Sequence, residues 1–361
     1  MGLQIMALDT KNRKLHLEVL RILAIMLVLF HHTEGRGFIL FLQRDGFSRS
    51  IYLLLSILCE IAVPIFFMIS GALLLKKEES IKDILCKRVL RFIIVLFAIT
   101  VIYRFYDLLV NDKPTGGFMG IVNAFVNNAA SGALWYMYSY ICLLFMLPFL
   151  RSIAKNATKE HYIYLIVLNL FFVGILPILS FALSGGKYYY SNTFNIVLAT
   201  TMSFFFFLIG HFFENVVDES FYSLKNCLWL SLAAFATLVI CAVMTEKWIP
   251  LRGFADSTSK GFHYTLVAVP TVAVYAWTKY LFGHTVRRQK LAAVVTHFGQ
   301  CTFGIFLFER ILRQQTLFMF NWLDGFLPVI LACGLWIIAI VLIGTAFISL
   351  LKLIPGVKKY I

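Results

Sequence analysis

The sequence predicts an all-α, polytopic membrane protein of about ten transmembrane helices, with both termini in the cytoplasm. Three observations lead there. Of 361 residues, 60% are hydrophobic and only 14% are charged, against about 25% charged in an ordinary soluble domain. Apolar runs recur along the chain, each near the ~20 residues that cross a bilayer core as a helix. The 32 Lys and Arg residues gather between those runs. So little charge cannot coat a soluble core. A soluble enzyme, a disordered chain and a secreted disulfide scaffold are therefore excluded. The unbroken apolar runs also exclude a β-barrel, whose strands alternate polar and apolar residues.

In chain order the runs are 15–33, 50–75, 89–110, 133–150, 162–183, 194–213, 224–244, 262–283, 291–309 and 327–351. The first follows the basic residues Lys11, Arg13 and Lys14. No small-residue cleavage site comes after it, so it reads as a retained helix and not a signal peptide. The segment 116–132 is apolar but short, dotted with Gly and Asn, as expected of a re-entrant or interfacial piece. The loops are too short for a separate soluble domain. The chain thus reads as one unit over 1–361, with cytoplasmic tails at 1–14 and 352–361.

With the N-terminus inside, twenty Lys and Arg fall on the inner side and eleven on the outer, Arg21 lying within the first helix. That bias sets the orientation. It also gives the net charge of +14 a topological meaning at an anionic inner leaflet, and no nucleic-acid partner is expected. The localisation that follows is the cytoplasmic (inner) membrane. Asn156-Ala-Thr158 has the form of a glycosylation triplet, but it falls in a cytoplasmic loop. Seven cysteines lie mostly within apolar runs and show no metal-ligand spacing, so they read as small core hydrophobes. No metal is expected.

Ionisable groups inside spans are costly and usually face a cavity. The first span carries Glu18, Arg21, His31 and His32. Eleven steps of about 100° bring His32 within about 20° of the Arg21 face, roughly 16 Å along the axis. Glu18 lies one turn before Arg21 and can pair with it, whereas His31 points about 80° away from that face. Glu60 lies four residues before Pro64, facing a channel or binding a backbone group freed by the proline. His211 and Glu214 share a face and read as an interface pair. Tyr136 and Tyr138 read as an outer aromatic belt, and 204–207 as lipid-facing or packing bulk. Ser70-Gly71 suits a close helix approach.

Glu18-Val-Leu-Arg21, followed by ten residues and His32, resembles the first-helix signature of the membrane acyltransferase 3 family. Further likenesses follow in the family's order: 63–71 with Ser70 and Gly71 in the second helix, the Arg88-Val-Leu-Arg91 element entering the third, Leu134-Trp135-Tyr136 to Tyr140 opening the fourth, Phe207 to Gly210 in the sixth, and 303–308 near the end. One departure stands out, because Glu309 occupies the position where the family usually has His.

The resemblance implies transfer of an acyl group, commonly acetyl, from acyl-CoA to a hydroxyl of an envelope polysaccharide or lipid-linked glycan. Acyl-CoA would be a donor substrate, and no tightly bound cofactor is implied. His32, Arg21 and Glu18 would then be catalytic. Arg21, Arg88 and Arg91 would bind the donor phosphates, and Trp135, Glu60 and Glu309 would stand on the acceptor side. His32 could act as general base or carry the acyl group covalently. A transporter of a glycan or small polar substrate is the alternative, because intramembrane charges also mark ion paths.

Overall fold

The computed structural model describes residues 14–190, 193–253, 261–283 and 289–361, and these contain helices and no strand. The helices used below are α1 (Leu15–His31), α2 (Gly46–Cys59), α3 (Ala62–Leu74), α4 (Leu90–Asn111), α5 (Gly117–Val126), α6 (Trp135–Asn156), α7 (Lys159–Asn169), α8 (Leu176–Leu183), α9 (Met202–His211), α10 (Leu224–Arg252), α11 (Ala268–Phe282), α12 (Gln289–Gln315), α13 (Leu317–Asp324) and α14 (Val329–Leu351).

Six stretches are long and apolar enough to cross a membrane: Gly46–Leu74, Gly132–Asn156, Lys159–Leu183, Leu224–Arg252, Gln289–Gln315 and Val329–Leu351. The other four runs of the sequence fall on α1, α4, α9 and α11, of 17, 22, 10 and 15 residues. The sixth run is irregular: a single turn at Val197–Thr200 precedes α9, and a wider π turn, Phe212–Val216, follows it. The outward faces of the helices are apolar, with Phe97, Phe149, Trp229, Phe235 and Leu342 exposed, as a lipid-facing surface requires.

The second run divides at Glu60, the residue that ends α2 before α3 begins at Ala62. Pro64 explains the division. It has no N–H to give the carbonyl four residues back, and its ring crowds that carbonyl, which belongs to Glu60. The helix restarts at Ala62, after the single intervening residue Ile61, and the Glu60 side chain is left inside the bundle, 4% exposed.

Helix α1 is central. It packs against α3, α11, α12 and α14 and buries Leu17, Leu20, Ala24, Ile25, Val28 and Leu29. Helices α3 and α9 approach most closely. A Cβ on Gly71 would strike the Phe207 carbonyl, and one on Gly210 would strike the Met68 backbone. Two glycines, one on each helix, thus set that contact, as the Ser70-Gly71 pair suggested. Phe205, Phe206 and Phe207 are buried packing and do not face lipid.

Because those Cβ positions are blocked by backbone, Gly71→Ala and Gly210→Ala should each lower the stability of the detergent-solubilised protein by about 1–3 kcal/mol. Gly334→Ala, with open space at its Cβ, should leave it unchanged. Thermal unfolding followed by size-exclusion recovery measures all three.

Candidate active site

Two cavities lie within the bundle, toward opposite ends of α1. The larger, about 470 Å³, opens where α1 begins and α14 ends. Its four cations come from three separated parts of the chain: Arg21 on α1, Arg91 on α4, and Lys352 and Lys358 in the segment after α14. Arg21 is paired with Glu18 one turn earlier. The carboxylate is 2% exposed and sits against Gly299 of α12, where any Cβ would overlap it. Arg91 donates to the Tyr360 carbonyl at 3.1 Å, and its Nε is buried without a hydrogen-bond partner among the described residues. Lys352 donates to the Gln300 carbonyl at 3.0 Å. The deeper walls are aromatic, with Phe92, Tyr136, Tyr140, Phe303 and Phe306. A cationic mouth with an aromatic throat suits a ligand that is polyanionic at one end and extended at the other.

The smaller cavity, about 50 Å³, lies at the other end of α1, against His31, His32, Glu60 and Trp135. Both imidazoles face carboxylates: His32 Nδ1 is 3.3 Å from Glu309 Oε2, and His31 Nδ1 is 3.6 Å from Glu60 Oε2. The His31 ring also stacks on Phe38 at 4.2 Å. Glu309 is 1% exposed and has Arg313 one turn on, at 3.5 Å. A carboxylate at Nδ1 orients an imidazole and stabilises its charged form, which frees Nε2 for proton transfer.

Tyr136 and Phe306 line both cavities. Their rings meet edge to face at 5.5 Å, so they form the partition between the cationic mouth and the histidine chamber. Tyr136 is therefore an internal wall residue and not part of an outer aromatic belt. Tyr138, half-buried, donates to the Phe125 carbonyl of α5. Among the described residues, no group of three or more His, Cys, Asp or Glu could hold a metal ion.

The structure brings Arg21 and Arg91 to one cavity, and His32, Glu60 and Trp135 to the other. Glu18 and Glu309 stand behind them as partners of Arg21 and His32. Arg88 is placed elsewhere. It grips Glu79 through two hydrogen bonds, of 2.8 and 2.6 Å, and Glu79 also accepts from Arg151 at 2.8 Å. Glu214 does not pair with His211. It is held by Lys14, His16 and Tyr275, while His211 meets the Tyr162 hydroxyl at 3.1 Å. Lys352, Lys358 and Tyr140 were missed by sequence reasoning. The lysines looked like tail charges, and only the fold carries them to the mouth.

Glu79 lies in the connection before α4. The Arg88 hydrogen bond, aided by Arg151 and opposed by partial burial, lowers its pKa from 4.5 to about 2. A carboxylate depressed on folding contributes stability above its unfolded pKa and loses it as pH falls through the folded value. Glu79→Gln should therefore lower stability at pH 7 by an amount on the order of 1–2 kcal/mol after solvent screening, seen as a lower melting temperature. The gap to the unsubstituted protein should close as pH drops from 4.5 toward 2. Melting curves across that range measure it.

No curated protein matches the chain, and no solved structure does. A family model does: the acyltransferase domain of the acyltransferase 3 family matches residues 15–353. The match covers nearly all of the chain, including every residue of the two cavities except Lys358 and Ile361. Together with the apolar helices, it makes the protein a multi-pass membrane acyltransferase, and the chain belongs to the acyltransferase 3 family.

Proposed function

We propose that the protein moves an acyl group, acetyl in the first instance, from cytoplasmic acyl-CoA to a hydroxyl of an envelope polysaccharide or lipid-linked glycan. The observation that carries this reading is the pair of cavities joined at Tyr136 and Phe306, cationic at one end and furnished with a histidine–carboxylate pair at the other. In this reading all ten runs cross the inner membrane, both termini are cytoplasmic, and the cationic mouth faces the cytoplasm. Successive runs enter and leave at alternate ends: Arg21, Leu74, Arg91 and Lys352 share the mouth, while His32, Glu60, Trp135 and Met202 share the chamber.

The donor's phosphates engage Arg91, Lys352 and Lys358, with Arg21 deeper. The pantetheine arm runs between the aromatic walls, and the acceptor hydroxyl enters past Trp135. A hydroxyl is a weak nucleophile at neutral pH, so a base must take its proton as it attacks. His32 does so, and Glu309 steadies the resulting imidazolium. The new C–O bond forms as the C–S bond breaks, and the proton on His32 passes to the departing thiolate to give free CoA. A covalent acyl-His32 intermediate is the rival route. In this reading Glu309, 3.3 Å from His32 Nδ1, supplies a counter-charge at the position where the family usually has His.

His32→Ala should abolish acylation of envelope glycans, a loss of at least about 10³-fold, while the protein still inserts. Mass spectrometry of the glycans with and without the active protein identifies both acceptor and acyl group, and full acylation in the His32 variant would overturn the assignment. Arg91→Gln and Lys352→Gln should each raise the KM for acyl-CoA about tenfold, the worth of one charge-assisted contact, with little change in kcat. The rival reading as an exporter rests on the same buried charges. It would be favoured if purified protein neither bound nor turned over acyl-CoA.

A further inference from the structure

We infer that the chamber beside His32 selects the acyl group by length, and that Tyr136 and Phe306 are its specificity-determining walls. The inference rests on the acyl-CoA reading above and deepens it. The chamber, at about 50 Å³, is about a tenth the size of the cavity at the mouth, at about 470 Å³. Such a space suits a short acyl group: acetyl has three heavy atoms and propionyl four, while hexanoyl has seven.

The thioester carbonyl has to lie within reach of His32 to be attacked, so the carbons beyond it enter the chamber. Val28, Val63 and Ala133 close the chamber on the helix side. Tyr136 and Phe306 line it on the side toward the mouth, where the donor arm arrives. These walls do not yield easily. Tyr136 has Phe67 at 5.0 Å and stacks on Tyr140 at 5.9 Å. Phe306 is 6% exposed. The helix bearing Val63 is held against α9 by the glycine contacts at Gly71 and Gly210.

In the reaction, the acceptor oxygen bonds to the acyl carbon, the carbon–sulfur bond breaks, and the hydroxyl proton reaches the CoA sulfur through His32. Chain length alters none of these steps and changes only whether the carbonyl can seat beside His32. Discrimination should therefore appear in kcat/KM. Each methylene in a fitted pocket is worth about ten- to two-hundred-fold.

The test uses inverted membrane vesicles containing the full-length protein and the cell's own envelope glycans. Acetyl-CoA, butyryl-CoA and hexanoyl-CoA are supplied, and CoA thiol release is measured after subtracting the His32→Ala background. The expected result is a rate that falls at least about 100-fold from acetyl to hexanoyl. Tyr136→Ala and Phe306→Ala should flatten the acetyl-to-hexanoyl ratio at least tenfold, while Ala133→Leu should steepen it. The ratio is internal to each variant and does not depend on how much of it folds. Phe306→Leu and the filling variant Ala133→Leu serve if the larger truncations fail to fold. Equal use of acetyl-CoA and hexanoyl-CoA by the unsubstituted protein, or an unchanged ratio in the wall variants, overturns the inference and leaves the acyltransferase reading standing. Absence of His32-dependent release from every acyl-CoA overturns that reading itself.

Discussion

Carboxylates buried in an apolar bundle each need a polar or cationic partner, and in this protein α1 and the residue before it supply most of them. Glu18 is met by Arg21, Glu60 by His31, Glu309 by His32, and Glu214 by Lys14 and His16. An unpaired buried charge costs several kcal/mol, so these pairs restrict where α1 can lie and how it is rotated. The partners come from different parts of the chain: Glu60 from the α2–α3 break, Glu214 from the turn after α9, and Glu309 from α12. One helix is thereby keyed to three others along its length. The arrangement also concentrates the titratable chemistry of the bundle on a single axis.

The two cavities depend on that axis. Their ends differ because α1 carries an arginine near its start and histidines at its finish. Their junction is aromatic because α6 and α12 present Tyr136 and Phe306 at the same level. Backbone features hold the frame. Pro64 forces the break that leaves Glu60 facing His31, and Gly71 and Gly210 bring α3 and α9 into contact. Each of these residues acts through a steric fact about the main chain, and none of the three has a polar side chain of its own.

Some of the site was legible before any fold was known, for local reasons. Glu18 and Arg21 are three residues apart on one helix, so their pairing follows from helical pitch. Arg21 and His32 share a face for the same reason, which made both stand out in an apolar run. Glu60 could be flagged from its spacing to Pro64, but its partner could not, because His31 is a neighbour only in three dimensions. Arg88 and Arg91 looked equivalent at three-residue spacing. Glu79 and Arg151 decide between them, and Arg151 is far along the chain. Tyr136 belonged equally to a membrane-interface belt and to an inner wall, since an aromatic ring suits either.

By itself the sequence determined that the chain is helical and membrane-embedded, roughly where its apolar runs fall, and which few ionisable residues lie inside them. Composition and periodicity suffice there, because lipid penalises every unpaired backbone group and every stray charge. Only the tertiary structure decided that Lys352 and Lys358 join Arg91 at one mouth, that Glu309 backs His32, and that Tyr136 and Phe306 divide the interior. Those are relations between segments hundreds of residues apart. They are set by which helix faces can satisfy one another's buried charges and fit one another's surfaces, information that no local pattern contains.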